Sequence, residues 1–220
     1  MNLGRIEERL APLDGIAAVI LWVAGTAVLE GLAHEPPSDA SGMSALHFFQ
    51  DHTGRILLGT FLFLLGSLFF LWFLGLVRTR LVAAEGGTHR LSSIAFAAGV
   101  ATAISLIFYP SVHAAAAINN VHLSADAAQV YLGINTAFLY AAELSAVVFL
   151  LAVGLLSLST RIFPAWLSWA TLVLAFWLLI PPIGWAGLLY AFPLWLMAVS
   201  LLLWPRSRSG SHPDPARRTP

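Results

Sequence analysis

Asn135-Thr136-Ala137-Phe138-Leu139-Tyr140-Ala141-Ala142-Glu143 is the middle of an apolar run, Ser124 to Leu158, that is long enough to cross a bilayer as a helix. Glu143 is the one carboxylate of the chain well inside an apolar span. An ionisable group in a membrane helix is costly, so it is expected to face the bundle interior and to have a partner there. Gln129, Thr136, Tyr140 and Glu143 follow one another at steps of seven, four and three, which keeps them on one helical face. The spacing predicts a polar seam directed into a helical bundle.

The rest of the chain fits a bundle in lipid. Of 220 residues, 59% are hydrophobic and 10% charged, with a mean hydropathy of +0.82; soluble domains carry about 25% charged residues. The composition is that of a polytopic all-α membrane protein. At about 20 residues per span plus connections, the length accommodates six helices in one domain, residues 1–204, and leaves no room for a separate soluble domain. There is no cysteine, which excludes disulfides, thiolate metal sites and cysteine nucleophiles. There is no lysine either, since the eleven basic residues are all arginine, and Schiff-base chemistry is excluded with it. A net charge of zero makes nucleic acid an unsuitable partner.

Apolar runs place the spans at about 13–33, 55–77, 91–109, 132–158, 165–180 and 184–204, followed by a tail, 205–220, rich in Pro, Ser and Arg and expected to be disordered on the cytoplasmic side. The neutral start of the chain lacks the features of a signal peptide. Ser41 or Ser44 is an expected N-cap for a short helix through Phe49, and Ser124 with Asp126 marks the start of the fourth span. Pro110 is expected either to kink the third span or to open a new turn, with helix resuming through His113 to Ile118, and Pro193 is an expected kink in the last span. Small residues at Gly59, Gly66 and Ser67 suit close helix approach. With both termini inside, ten of the eleven arginines fall on the cytoplasmic side and Arg55 alone outside, in line with the positive-inside rule.

The layout, with Arg161-Ile-Phe-Pro-Ala-Trp-Leu-Ser-Trp169 opening the fifth span and Pro193-Leu-Trp195 in the last, resembles a family of uncharacterised multi-pass membrane proteins common in high-GC Gram-positive bacteria. That resemblance implies a plasma-membrane location and says nothing of chemistry.

The same topology gathers polar residues outside. Helical rise puts Glu30 roughly 5 Å and Glu143 roughly 8 Å below the outer surface. Glu30 and His34 are four apart, as are His47 and Asp51, the spacing helical metal sites use. Thr26 and Trp22 continue the Glu30 face inward. In the third span, Thr102, Ser105, Tyr109 and His113 step by three, four and four. A hairpin about residue 121 would bring Thr102 near Tyr140 and His113 near Gln129, with Glu143 beside Thr102 or the Gly99 turn.

Two functions follow. One is a non-catalytic bundle whose outward-facing cavity, lined by Gln129, Thr136, Tyr140, Glu143, Thr102, Tyr109 and His113, holds a small molecule, lipid headgroup or ion. The other is a membrane hydrolase with a divalent metal such as zinc on Glu30, His34, His47 and Asp51, and Glu143 or Glu30 as general base. A secondary transporter ranks below both, because six spans without an internal repeat do not match the usual build. No phosphate loop, HExxH, GxSxG or DxxxD motif is present.

Overall fold

The computed structural model describes residues 3–30, 36–37 and 40–208, with side chains from 11–29, 36–37 and 40–204. Among these residues every regular element is helical. The helices are α1 (Leu3–Glu30), α2 (Gly42–Asp51), α3 (Thr53–Glu85), α4 (Arg90–Ile118), α5 (Ala125–Thr160), α6 (Ala165–Leu178), α7 (Pro181–Ala186) and α8 (Phe192–Arg208), with a π turn, Gly187–Ala191, between the last two. Five segments are long and apolar enough to cross a membrane: Ala11–Leu29, Thr53–Glu85, Arg90–Ile118, Ala125–Thr160 and Pro181–Trp204. The chain is thus a helical bundle of the kind integral membrane proteins form.

Two expected spans are built differently from their sequence pattern. The fifth stops at Leu178, so α6 has 14 residues and rises about 21 Å, short of a core of about 30 Å. The sixth, expected as one kinked helix, comprises α7, the π turn and α8. Pro193 explains the π turn: it lacks an N–H and crowds the preceding turn, and the local i→i+5 bond from Phe192 N–H to the Gly187 carbonyl widens the helix ahead of it. Helix α8 runs on to Arg208, into the first part of the expected tail, and residues 209–220 lie outside the described residues.

Helix α4 passes through Pro110 without a break. Thr60 of α3 donates to the Pro110 carbonyl at 3.1 Å and Ser111 to that of Ile107 at 2.7 Å, so side chains take up carbonyls around the lost donor. Ser41 and Ser124 cap α2 and α5 by accepting from the N–H groups of Ser44 and Ala127, as their positions predict.

The bundle closes through two kinds of contact. Helices α1 and α3 meet backbone to backbone: a Cβ on Gly59 would lie 2.9 Å from the Gly25 carbonyl oxygen, and one on Gly66 would lie 3.0 Å from that of Ala18. Small residues permit this approach, and the gain is dispersion contact between backbones. Around it sits an aromatic hub. Phe192 has its ring 5.7 Å from those of both Phe70 and Trp195, 6.2 Å from Trp22 and 6.3 Å from Phe149, which joins α1, α3, α5 and α8. A second, separate core of Ala45, Phe48, Phe49, Ile56, Ala116, Ala117, Ala128 and Leu132 fastens α2 over the paired ends of α4 and α5. Gln50 and Asn120 tie the same end, through Asn120 O at 3.3 Å and Thr53 Oγ1 at 2.6 Å.

At the opposite end, Gly86, Gly87 and His89 turn the chain with positive φ, which the two glycines accept without a Cβ penalty. Glu85 then closes the turn: its two carboxylate oxygens accept from the N–H groups of Leu91 and Ser92, both at 2.8 Å. Partial burial raises the Glu85 pKa, but its hydrogen bonds to Ser92 and Leu91 and the nearby His89 outweigh that and hold it below the usual carboxylate value.

Two outcomes follow for stability in detergent. Gly59→Ala should destabilise by about 1–3 kcal/mol, because a backbone carbonyl cannot retreat. Gly75→Ala, with nothing within 4 Å of the added methyl, should be neutral or stabilise by up to about 1 kcal/mol; equal thermal shifts for the two would refute the α1–α3 contact. Glu85→Ala should cost about 1 kcal/mol as a lost cap. Since the folded pKa of Glu85 is depressed, that contribution is present above the ordinary carboxylate pKa and disappears as pH falls through the lowered folded value. The difference between wild type and Glu85→Ala in thermal unfolding should therefore vanish in acid.

Candidate functional site

Helix α5 buries a stripe made by Ala128, Leu132, Asn135, Ala142, Ala146, Leu150 and Val153. At roughly 100° per residue, Glu143 falls at the margin of that stripe, whereas Gln129 and Tyr140 lie about 100° or more from its centre. Glu143 is accordingly 4% exposed and Tyr140 49%, Gln129 is exposed, and Thr136 is half-buried with its hydroxyl donated to the Leu132 carbonyl. The four residues share a face, but only Glu143 points into the bundle. Periodicity groups side chains on a face without saying which way that face turns.

The α4 series does face inward. Thr102 and His113 are buried, and Ser105 and Tyr109 half-buried. Thr102 donates 3.1 Å to Ser145 of α5 and 2.9 Å to the Ala98 carbonyl of its own helix. The Thr102–Ser145 pair sets the register of the hairpin and corrects the expected one: Thr102 meets Ser145 instead of Tyr140, and His113 comes level with residues near Asn135 instead of Gln129. The six-residue connection between Ile118 and Ala125 is centred where the sequence put it, so the offset arises in how the two helices pack. His113 lies within the aromatic group under α2, its ring 5.8 Å from Phe49, 6.4 Å from Phe48 and 6.2 Å from Tyr109.

Glu143 therefore does not meet Thr102 or Gly99. It packs against Gly184 of α7: a Cβ built there would stand 3.0 Å from Glu143 Oε2 and 2.8 Å from the Leu178 carbonyl oxygen. The other carboxyl oxygen, Oε1, is buried with no hydrogen-bond partner. Trp177 Nε1–H donates to the Ile183 carbonyl at 3.1 Å and clasps the fold-back over this point. Gly99 instead receives Leu74 and Phe149.

The expected metal set is partly outside the described residues, which include neither the Glu30 side chain nor His34. His47 and Asp51 are exposed on α2. Among the described residues no three of His, Cys, Asp and Glu come together as metal ligands would. Arg55 reaches back to α1, with Nε 3.3 Å from the Val28 carbonyl oxygen and an Nη 3.3 Å from that of Leu29. It satisfies helix-end carbonyls that lipid could not.

Trp22 and Thr26, expected on the Glu30 face, line a narrow crevice with Phe63, Leu106, Leu188, Leu189, Phe192 and Pro193. It has room for about one water molecule. Sequence reasoning missed Gly184 as a site component, and it had no signal in the sequence, because its role exists only once α7 folds onto α5.

Comparison of the chain with family models, with curated proteins and with solved structures finds no match. Its function therefore rests on the geometry alone.

The register itself can be tested. A double-mutant cycle with Thr102→Val and Ser145→Ala should show a coupling of about 0.6 kcal/mol, the usual worth of an interhelical hydrogen bond in a membrane protein. Strictly additive effects would refute the pairing.

Proposed function

We propose that this chain is a six-span plasma-membrane protein with both termini cytoplasmic, acting as a non-catalytic binding bundle whose site lies in its outer half at Glu143. The arginine distribution, ten against one, supports the orientation. Helix α6 supplies the remaining span together with the α6–α7 fold-back. The binding reading is carried by one observation: a buried carboxyl oxygen without a partner, on a helix surrounded by apolar residues. Burying such a group costs more than replacing it with an apolar side chain, so its retention there is accounted for by something that it binds. The ligand class is a small ion or a polar small molecule. The zinc-hydrolase reading draws no support from the described residues.

The absence of cysteine makes the chain a clean background for thiol labelling. In intact cells, Asn119→Cys and Trp185→Cys should react with a membrane-impermeant thiol reagent, while Thr88→Cys and Arg161→Cys should react only after lysis. The reverse pattern would refute the orientation. Glu143→Cys should react from outside with a small impermeant reagent, and complete protection from both sides would remove the outward-facing site.

A further inference from the structure

The Glu143 site has a second component, produced by the prolines at the α6–α7 break. In a continuing helix the Leu178 carbonyl would accept from residue 181 or 182. Both are proline and have no N–H. The backbone bonds that close the break go elsewhere: Leu179 N–H to Phe176, Ile180 N–H to Trp177, and the Ile183 and Gly184 N–H groups both to Ile180. A carbonyl without its helical donor and a carboxylate thus converge on Gly184, each about 3 Å or less from where a Cβ would stand. Any side chain at 184 would push the two oxygens away, and glycine lets both approach, two acceptors with no hydrogen-bond donor between them.

The charge of the surroundings decides what can bridge them. Residues 165–191, which make α6, α7 and the π turn, contain no Asp, Glu, Lys, Arg or His. Residues 56–77 of α3 contain none either. The titratable groups of the outer half of α4 are Tyr109 and His113, and in the observed register His113 lies about nine residues, or about 13 Å, outward of the level of Glu143. Tyr140 on α5 is exposed, and Tyr190 lies against Trp185. No basic side chain is therefore placed to neutralise the carboxylate. Oxygen donors without nitrogen or sulfur select a hard cation. One carboxylate in a low-dielectric site balances one positive charge, and a divalent ion would leave a buried excess.

We infer that the Glu143 carboxylate and the proline-orphaned carbonyl of Leu178, brought together by the close approach at Gly184, form a binding site for a small monovalent cation, sodium, with a proton as its competitor for the same carboxylate. The inference rests on the reading of Glu143 as an outward-facing site. Sodium enters from the outer side, the carboxyl proton leaves to water in exchange, and the neutral ion pair holds the fold-back on α5.

The test uses full-length protein in detergent, unfolded thermally in sodium chloride and in choline chloride of equal ionic strength, from pH 6 to pH 9. Sodium should raise the melting temperature over choline. The sodium concentration at half effect should increase tenfold for each unit of pH lost below the carboxyl pKa. Glu143→Gln should melt near the wild type in choline and lose the sodium response, and Gly184→Ala should lose the response as well. Lithium and potassium titrations read the size preference of the site. A sodium response that persists in Glu143→Gln overturns the inference, as does a wild type indifferent to sodium throughout the pH range. Should infrared difference spectra of that indifferent protein show a protonated carboxyl that Glu143→Gln abolishes, the site takes a proton only and the sodium assignment is overturned. Labelling of Glu143→Cys separates the two levels: reaction from outside without a sodium response removes only this inference, while full protection removes the outward-facing site as well.

Discussion

Hydrocarbon offers no hydrogen bonds, so every backbone N–H and C=O within the membrane needs a partner from the chain itself. Helix supplies most of them, and side chains supply those that the helices leave over. Arg55 takes the terminal carbonyls of α1, Glu85 the first N–H groups of α4, and Thr60 the Pro110 carbonyl. Ser67, Thr102, Ser111, Ser145, Thr171 and Ser200 each return a hydroxyl to the carbonyl four residues earlier. Three of these hydroxyls also accept across an interface, Ser67 from Trp22, Ser145 from Thr102 and Thr171 from Trp195. Polar residues in this chain thus serve packing and backbone satisfaction together.

Against that accounting the α6–α7 region is an exception. Two consecutive prolines remove donors just after the short helix α6 ends, and the π turn before Pro193 removes regular pairing a few residues later. Irregular backbone at membrane depth is tolerated where protein covers it or where it lines a cavity, and Glu143 lies against the first of these breaks. The hub around Phe192 begins where the π turn ends, so the same irregular segment is anchored in the most aromatic part of the core. A rigid anchor beside an unsatisfied carboxyl is a suitable build for a small site, because binding there need not order the surrounding chain.

The end of the molecule that carries α2 is organised separately. Helices α4 and α5 are 29 and 36 residues long, about 44 and 54 Å, and outrun any bilayer core. Helix α2 covers their protruding ends, with Phe48 and Phe49 against Ala116, Ala117, Ala128 and His113. Small residues on the two long helices leave room for the phenyl rings, and the buried His113 belongs to this cap and not to the α5 seam.

The sequence by itself determined that the chain is a helical bundle for lipid and where most spans lie, from hydropathy, and that helices begin at Ser41 or Ser44 and at Ser124, from capping chemistry, since each of these depends on residues near in sequence. The burial of Glu143 was legible for the same reason: the cost of a carboxylate in an apolar helix does not depend on its neighbours' identities. Its partner was not legible. Sequence spacing fixes angles around one helix, but the direction of a face, the Thr102–Ser145 register and the approach of Gly184 depend on how helices meet. That is decided by backbone contacts between glycines, the packing of α4 on α5 and the fold-back at Pro181-Pro182, and these exist only in the tertiary structure.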